Sequence, residues 1–221
     1  MPGPAFAFGG HEFWIAGKTA LVWPARKALI VADLHLEKAS WFAARGQMLP
    51  PYDSQATLDR MATVIQETGV KEAWCLGDNF HDVDGPNRMS AKASALLANL
   101  TRMCDWHWIT GNHDEVLPPQ IGGSVFEEAE VDGLILRHHA AALETRPELS
   151  GHFHPKIRAS ARGRGVTRAC FVRGATKLIF PSFGAFTGGM AAGDPAITAL
   201  VGHGAEAIVE SGGRALTLPL L

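Results

Sequence analysis

The chain has 221 residues, 47% of them apolar and 19% charged, with a formal net charge of −2. That balance excludes intrinsic disorder, and the charge excludes a global basic field, so a nucleic-acid partner would have to be held by a local patch or by bound cations. The length suits one well-buried domain spanning residues 1–221.

The opening stretch, "MPGPAFAFGGHEFW", lacks the basic start and unbroken apolar core of a signal peptide. No run approaches the roughly 20 apolar residues of a membrane helix, so a soluble cytoplasmic protein without membrane contact is expected. Three widely spaced cysteines, Cys75, Cys104 and Cys170, read as buried thiols of a reduced compartment and not as a disulfide framework.

In chain order, "KALIVADLH" (27–35) is a short apolar run ending in polar residues, a buried strand that delivers Asp33 and His35 at its carboxyl end. "YDSQATLDRMATVIQETG" then places Leu58, Met61, Ala62 and Ile65 at helical spacing, with Asp53 or Ser54 to cap the start and Gly69 to end it. The cycle repeats: "EAWCLGD" is a strand ending at Asp78, "SAKASALLANLTRM" a helix, and "WHWITGNHD" a strand ending at Asn112 and His113. This β-α-β-α-β order predicts a parallel core with helices on its faces.

The second half reads differently. "LILRHH", "ELSGHFH", "RACFVRG" with "TKLIFPSFG", and the tail "AEAIVESGGRALTLPL" are short strands joined by tight turns, with no helix expected between them. They predict a mostly β sheet facing the first.

The polar clusters fall where strands run out, the place at which α/β folds build their sites. Glycine in "GDNFHD" and "GNHDE" permits the sharp turn that points the next polar residue into a shared cavity. Carboxylates, imidazoles and an amide oxygen without cysteine make a donor set suited to Mn²⁺, Fe²⁺ or Zn²⁺.

Taken in order, Asp-x-His, Gly-Asp-x-x-His, Gly-Asn-His-Asp, a strand-end histidine and Gly-His-x-His resemble the calcineurin-like metallophosphoesterases over Ala32 to Pro155. Within that family the chain looks most like the bacterial branch encoded beside a DNA ligase and a helicase-like repair protein, described as manganese-dependent single-strand DNA endonucleases. The stretch "PSFGAFTGGM" (181–190) adds to the closer likeness. The resemblance implies an α/β fold of four layers, α-β-β-α, with two mixed sheets flanked by helices. It implies two divalent ions, most simply Mn²⁺, with single-stranded DNA as substrate and the ligase and helicase-like proteins as partners.

By resemblance, Asp33, His35, Asp78 and His154 hold one ion, and Asp78, Asn112, His138 and His152 hold the other. A bridging carboxylate suits dications roughly 3.5–4 Å apart, which repel unless anionic oxygen lies between them. The pair would activate a shared water for in-line attack on phosphorus. His113 would serve the leaving oxygen as donor or general acid, oriented by Asp114 or a neighbour.

Some positions leave alternatives. Where the protein-phosphatase branch carries an aspartate three residues after the bridging one, this chain has His81, as in double-strand-break repair nucleases. A second imidazole there favours diester chemistry. His138 and His139 both follow "LILR", and adjacent strand residues point to opposite faces; His138, the first past the run, is the expected ligand. The loop after it, "AAALE", lacks the polar or glycine residue often found in relatives. His11, His107 and His203 match no motif, and Trp106 and Trp108 read as packing residues. Arg158, Arg162, Arg164 and Arg168 form one basic run, either a solvated hairpin or a track for a phosphate backbone. The rivals to a DNA phosphodiesterase are a phosphomonoesterase on nucleotides or phosphoproteins, and an inactive binding scaffold.

Overall fold

The computed structural model describes residues 3–161 and 164–220. The first seven-stranded sheet runs in chain order: β1 (Ala5–Phe8), β2 (His11–Ala16), β3 (Ala20–Trp23), β4 (Ala28–Val31), β5 (Glu72–Leu76), β6 (Asp105–Ile109) and β7 (Ser124–Phe126). Its first four strands are antiparallel, and β4 to β7 are parallel. The expected parallel core is therefore present, extended by an antiparallel meander from the amino terminus.

Strands β8 (Glu128–Val131), β9 (Leu134–Arg137) and β10 (Glu148–Ser150) begin the second sheet, and β11 (Lys156–Ala161) with β12 (Arg164–Ala169) forms a separate hairpin. The second sheet continues with β13 (Phe171–Arg173), β14 (Lys177–Ile179), β15 (Glu206–Ser211) and β16 (Arg214–Pro219), in spatial order β16-β15-β13-β14-β10-β9-β8. Its centre, β9-β10-β14, is parallel.

Strand alternation assigns the core. Ile30, Trp74, Leu76 and Ile109 of the first sheet meet Leu136, Leu149, Phe171 and Leu178 of the second in one buried cluster between the sheets. The intervening residues, Leu29, Val31, Ala73, Cys75, Trp106 and Trp108, face outward beneath the helices. There α2 (Asp53–Thr68) and α4 (Ala91–Met103) pack, after the short α1 (Lys38–Ala43) and α3 (Gly85–Arg88) in their respective connections. Leu58, Met61 and Ile65 of α2 are buried, and Gly69 closes that helix at φ 64°.

Two expectations change. Asp53 and Ser54 do not cap α2; the Asp53 carboxylate accepts from the Ala39 backbone N–H at 2.9 Å and Ser54 Oγ from the Glu37 N–H at 2.7 Å, tying α1 to the start of α2. The second half also contains a helix, α5 (Pro195–Val201). Asp194 caps it through the Ala196 N–H, Pro195 starts it, and Ile197 and Val201 cover the outer face of the second sheet. This short helix supplies the fourth layer. All three cysteines are buried and free, and no helix among the described residues is long and apolar enough to cross a membrane.

Candidate dinuclear metal centre

The parallel strands of both sheets end on one side of the molecule. Asp33 and His35 follow β4, Asp78 and His81 follow β5, Asn112 and His113 follow β6, His138 follows β9, and His152 and His154 follow β10. Past the strand ends the chain changes handedness: φ is 54° at Asp33, 44° at His35, 46° at Asp78, 75° at His152 and 48° at His154. Left-handed backbone is unfavourable for residues with a Cβ, and its concentration at five polar positions marks a site held in place by its surroundings.

Those surroundings are hydrogen bonds between the strand ends. His35 N–H donates to the Asp78 carbonyl at 2.9 Å and His81 N–H to the Leu36 carbonyl at 2.9 Å. The His152 N–H meets both Asp33 carboxylate oxygens, at 3.0 and 3.1 Å. Ser182 Oγ donates to the Asp33 carbonyl at 2.7 Å. Leu34 and Phe153, the residues between the paired ligand candidates, point into apolar cores, which puts Asp33 with His35, and His152 with His154, on the site side.

The donor atoms converge in three groups, one of imidazoles alone (His35, His81 and His113) and two sets that include a carboxylate. Asp33, His35 and His154 bring one atom each within 4.8 Å of the others, and so do Asp78, His138 and His152. His35 Nε2 stands 3.2 Å from His154 Nε2, and His154 Nε2 stands 3.4 Å from Asp33 Oδ1. In the second set, His138 Nε2 lies 3.1 Å from Asn112 Oδ1, 3.1 Å from His152 Nδ1 and 3.4 Å from Asp78 Oδ1. The other Asp78 oxygen, Oδ2, turns to the first set, 3.8 Å from His35 Nε2. Asp78 therefore presents one oxygen to each set.

Donor atoms held at about 2.1 Å from one first-row dication stand roughly 3.0–3.4 Å apart. The closest contacts within both sets, 3.1 to 3.4 Å, fall in that range, and the lone pairs face one another without enough protons to satisfy them, so the residues fit a pair of cations. His138 Nδ1 donates to the Leu76 carbonyl at 3.1 Å, which fixes its proton there and aims the Nε2 lone pair inward. His139, by contrast, is exposed, its ring edge 4.6 Å in centroid distance from His152.

His81 and His113 flank the first set. Their rings stack at 5.1 Å, His81 Nδ1 lies 3.4 Å from His35 Nδ1, and Trp41 packs against His81 at 4.9 Å. With His35 Nε2 turned to the first set, its Nδ1–H donates to His81, which leaves the His81 proton on Nε2. His113 Nδ1 donates to the His81 carbonyl at 2.8 Å, and its Nε2 lies 3.9 Å from Asp78 Oδ2. The neighbour that orients His113 is thus the His81 carbonyl. Asp114 does something else: fully buried, its carboxylate accepts the N–H groups of Asn79, Phe80 and Gly111 at 2.7, 3.1 and 2.9 Å, locking the two glycine turns together.

Burial dominates the electrostatics. It lowers the pKa of His35, and brings His81 and His152 down to about 4, with neighbouring imidazoles adding to the effect. It raises Asp78, with Asp33 adding to the rise, and pushes Asp114 up to about 6 against its three backbone donors. Neutral imidazoles beside crowded carboxylates are poised to take a cation.

The loop after His138 is anchored by residues with no motif to announce them. The Ala141 N–H donates to buried Glu148 at 2.9 Å, Glu148 pairs with buried Lys177 at 3.1 Å, and Lys177 Nζ donates to the Glu144 carbonyl at 2.6 Å. These replace the polar loop residue that "AAALE" lacks. His11 bonds the Asp132 carbonyl and His107 stacks on Trp74, apart from the cluster, and Trp106 and Trp108 are buried. Arg158 and Arg168 lie exposed on the β11–β12 hairpin, and Arg162 lies outside the described residues.

A family model for calcineurin-like phosphoesterases matches residues 26–155. Among solved structures the chain is similar to the Pseudomonas putida nuclease MPE, at 27% identity with a TM-score of 0.74, covering 97% of this chain and 98% of that one. A weaker likeness links it to Yfce, a phosphoesterase from E. coli, at 15% identity and a TM-score of 0.41, covering 84% and 88%. No curated protein sequence matches the chain.

Proposed function

The chain belongs to the calcineurin-like phosphoesterase family, and from that membership we propose that it is a phosphodiesterase that cuts single-stranded DNA with two Mn²⁺ ions, in the cytoplasm and in the service of DNA repair. The family's chemistry makes it a metal-dependent phosphoesterase. A diester, and not a monoester, is favoured by one observation: beside the donor sets stand two stacked imidazoles, His81 and His113, with no carboxylate between their rings. A diester carries a single negative charge, and N–H donors suit it without the repulsion a carboxylate would add. The likeness to a nuclease over nearly the whole of both chains points the same way.

In this proposal Asp33, His35, Asp78 and His154 hold one ion and Asp78, Asn112, His138 and His152 the other. When bound, the ions supply Lewis acidity and an activated water for in-line displacement at phosphorus. Asp78 spans the two sets and fixes their spacing. The His81 Nε2–H is placed to donate to a phosphate oxygen. His113, with Nδ1 committed to the His81 carbonyl, holds a transferable proton at Nε2 only as imidazolium, and delivers it to the leaving oxygen. A DNA ligase and a helicase-like protein are the partners this role would bring.

The purified, Mn²⁺-loaded protein should linearise circular single-stranded DNA faster than it releases phosphate from a monoester. Vigorous phosphate release with intact circles would instead identify a phosphomonoesterase.

A further inference from the structure

Ten large apolar side chains are exposed among the described residues. Six of them, Met48, Tyr52, Val83, Val116, Leu143 and Phe186, belong to the connections that leave the carboxyl ends of β4, β5, β6, β9 and β14, the same end that carries the metal-ligand candidates. Exposed apolar side chains on the connections that carry a site for anionic substrates need a reason, since contiguous exposed apolar surface marks a contact site.

Two of the six are aromatic and touch. The rings of Tyr52 and Phe186 meet edge to face at 5.7 Å and 67°, and the residues remain 57% and 45% exposed. Phe186 sits at φ 58°, in left-handed backbone that an aromatic residue does not adopt without being held there. The hold is visible on both sides. Phe183 N–H donates to the Ala32 carbonyl at 2.8 Å and Gly184 N–H to the Asp33 carbonyl at 3.0 Å; further along, Lys156 Nζ donates to the Thr187 carbonyl at 3.3 Å and Met190 N–H to the Phe153 carbonyl at 3.3 Å. The loop that carries Phe186 is thus pinned to Asp33 at one end and to the His152–His154 segment at the other. Tyr52 immediately precedes Asp53, whose carboxylate holds the first turn of α1, four residues after His35. Lys38 and Lys156 border the same segment; burial chiefly disfavours the charge of Lys38, and the Lys156 cation adds to that.

We propose that Tyr52 and Phe186 form a stacking platform for an unpaired nucleobase, one that flanks the phosphate lying over the metal centre. Rigid aromatic faces beside lysines match the alternation of base and phosphate along a single strand, and a duplex, whose bases are already stacked, cannot use them. The proposal rests on single-stranded DNA being the substrate, and it adds the part of the surface that would select an unpaired strand.

Fluorescence anisotropy of a labelled oligothymidylate with the Ca²⁺-loaded protein reads the platform without requiring cleavage. Tyr52→Ala with Phe186→Ala should weaken binding roughly 5- to 150-fold, the range for one lost base stack, while Tyr52→Phe and Phe186→Trp retain it. Oligonucleotides with one abasic position, moved along the strand, should include one placement at which wild-type binding falls and the double substitution adds nothing further. Unchanged affinity in the double variant, or an equal loss at every abasic placement, would each overturn the platform. A parallel Mn²⁺ cleavage assay separates this outcome from failure of the nuclease reading: cleavage with an unaffected double variant sinks only the platform, and binding through the platform without cleavage sinks only the nuclease.

Discussion

His138 and His139 are sequence neighbours with opposite surroundings. His138 is 6% exposed and turns Nε2 toward Asn112, Asp78 and His152, whereas His139 is exposed and lends only a ring edge to His152. Losing an outer hydrogen-bond partner of a ligand costs about 10- to 100-fold in metal affinity, and losing one of four donors should cost at least that. His138→Ala is therefore expected to lower bound Mn²⁺ from two ions toward one and to abolish DNA cleavage, and His139→Ala to leave both near wild type; elemental analysis with a cleavage assay reads both, and the reverse pattern would transfer the ligand role to His139. Alternation at a strand end set the two histidines on opposite faces in the sequence, and counting from the apolar run favoured His138. The residues that hold His138 in place were not legible. Glu148 and Lys177 belong to strands that pair only in the folded sheet, and a buried ion pair leaves no period in the chain. Asp114 was visible as part of "GNHDE", but its partners, three backbone N–H groups, were not, so the sequence left the orientation of His113 to Asp114 or a neighbour, and the neighbour, the His81 carbonyl, holds it.

At the level of elements, the site depends on strand ends that approach closer than side chains allow. A Cβ at Gly77 would overlap the His138 ring, and one at Gly111 would overlap Asp78. Gly111→Ala should displace Asp78, the residue shared by both sets, and so remove both ions together, whereas His138→Ala empties one; titration of Mn²⁺ by calorimetry distinguishes them, and retention of two-site binding in Gly111→Ala would show that the strand ends have slack. The buried strands β4, β5 and β6 and the helices α2 and α4 were readable because each carries a full period of apolar residues. The shorter elements escaped. Helix α5 has seven residues and buries only Ile197 and Val201, too few for a helical stripe to stand out among tight turns. Strands β1 and β2 are half exposed and interrupted by glycine, so they blur into the loop they resemble. Asp53 and Ser54 had the chemistry of a helix cap and used it on a neighbouring helix, a choice that tertiary contact makes and local sequence does not record.

For the molecule as a whole, the two sheets bring together seven candidate ligands from five strand ends, and in the absence of cations that gathering opposes folding. Buried imidazoles must stay neutral and buried carboxylates must stay close. The pH dependence follows from the shifts. An unfolded histidine takes a proton near pH 6.5, whereas His81 and His152 in the folded chain resist it until about 4 and His35 is lowered too, in each case chiefly by burial. Between those limits the unfolded state binds more protons, so stability is fully present above about pH 6.5 and falls as pH drops toward 4. Asp114 works in the opposite direction: its carboxyl is raised to about 6, so its share of stability declines as pH rises from about 4 to 6. Asp78 is raised as well and His107 is lowered, each chiefly by burial, and four histidines against two carboxyls leave a net fall of stability with acid. Cations bind only the folded, deprotonated cluster and so compete with these protons; at 100 times its dissociation constant a single ion adds about 2.7 kcal/mol. The melting temperature in EDTA should therefore drop between pH 7 and pH 5, and the increment on adding Mn²⁺ should be larger at pH 7 than at pH 5. An Mn²⁺ increment independent of pH would mean that the ions bind away from the histidines and not where the strand ends meet.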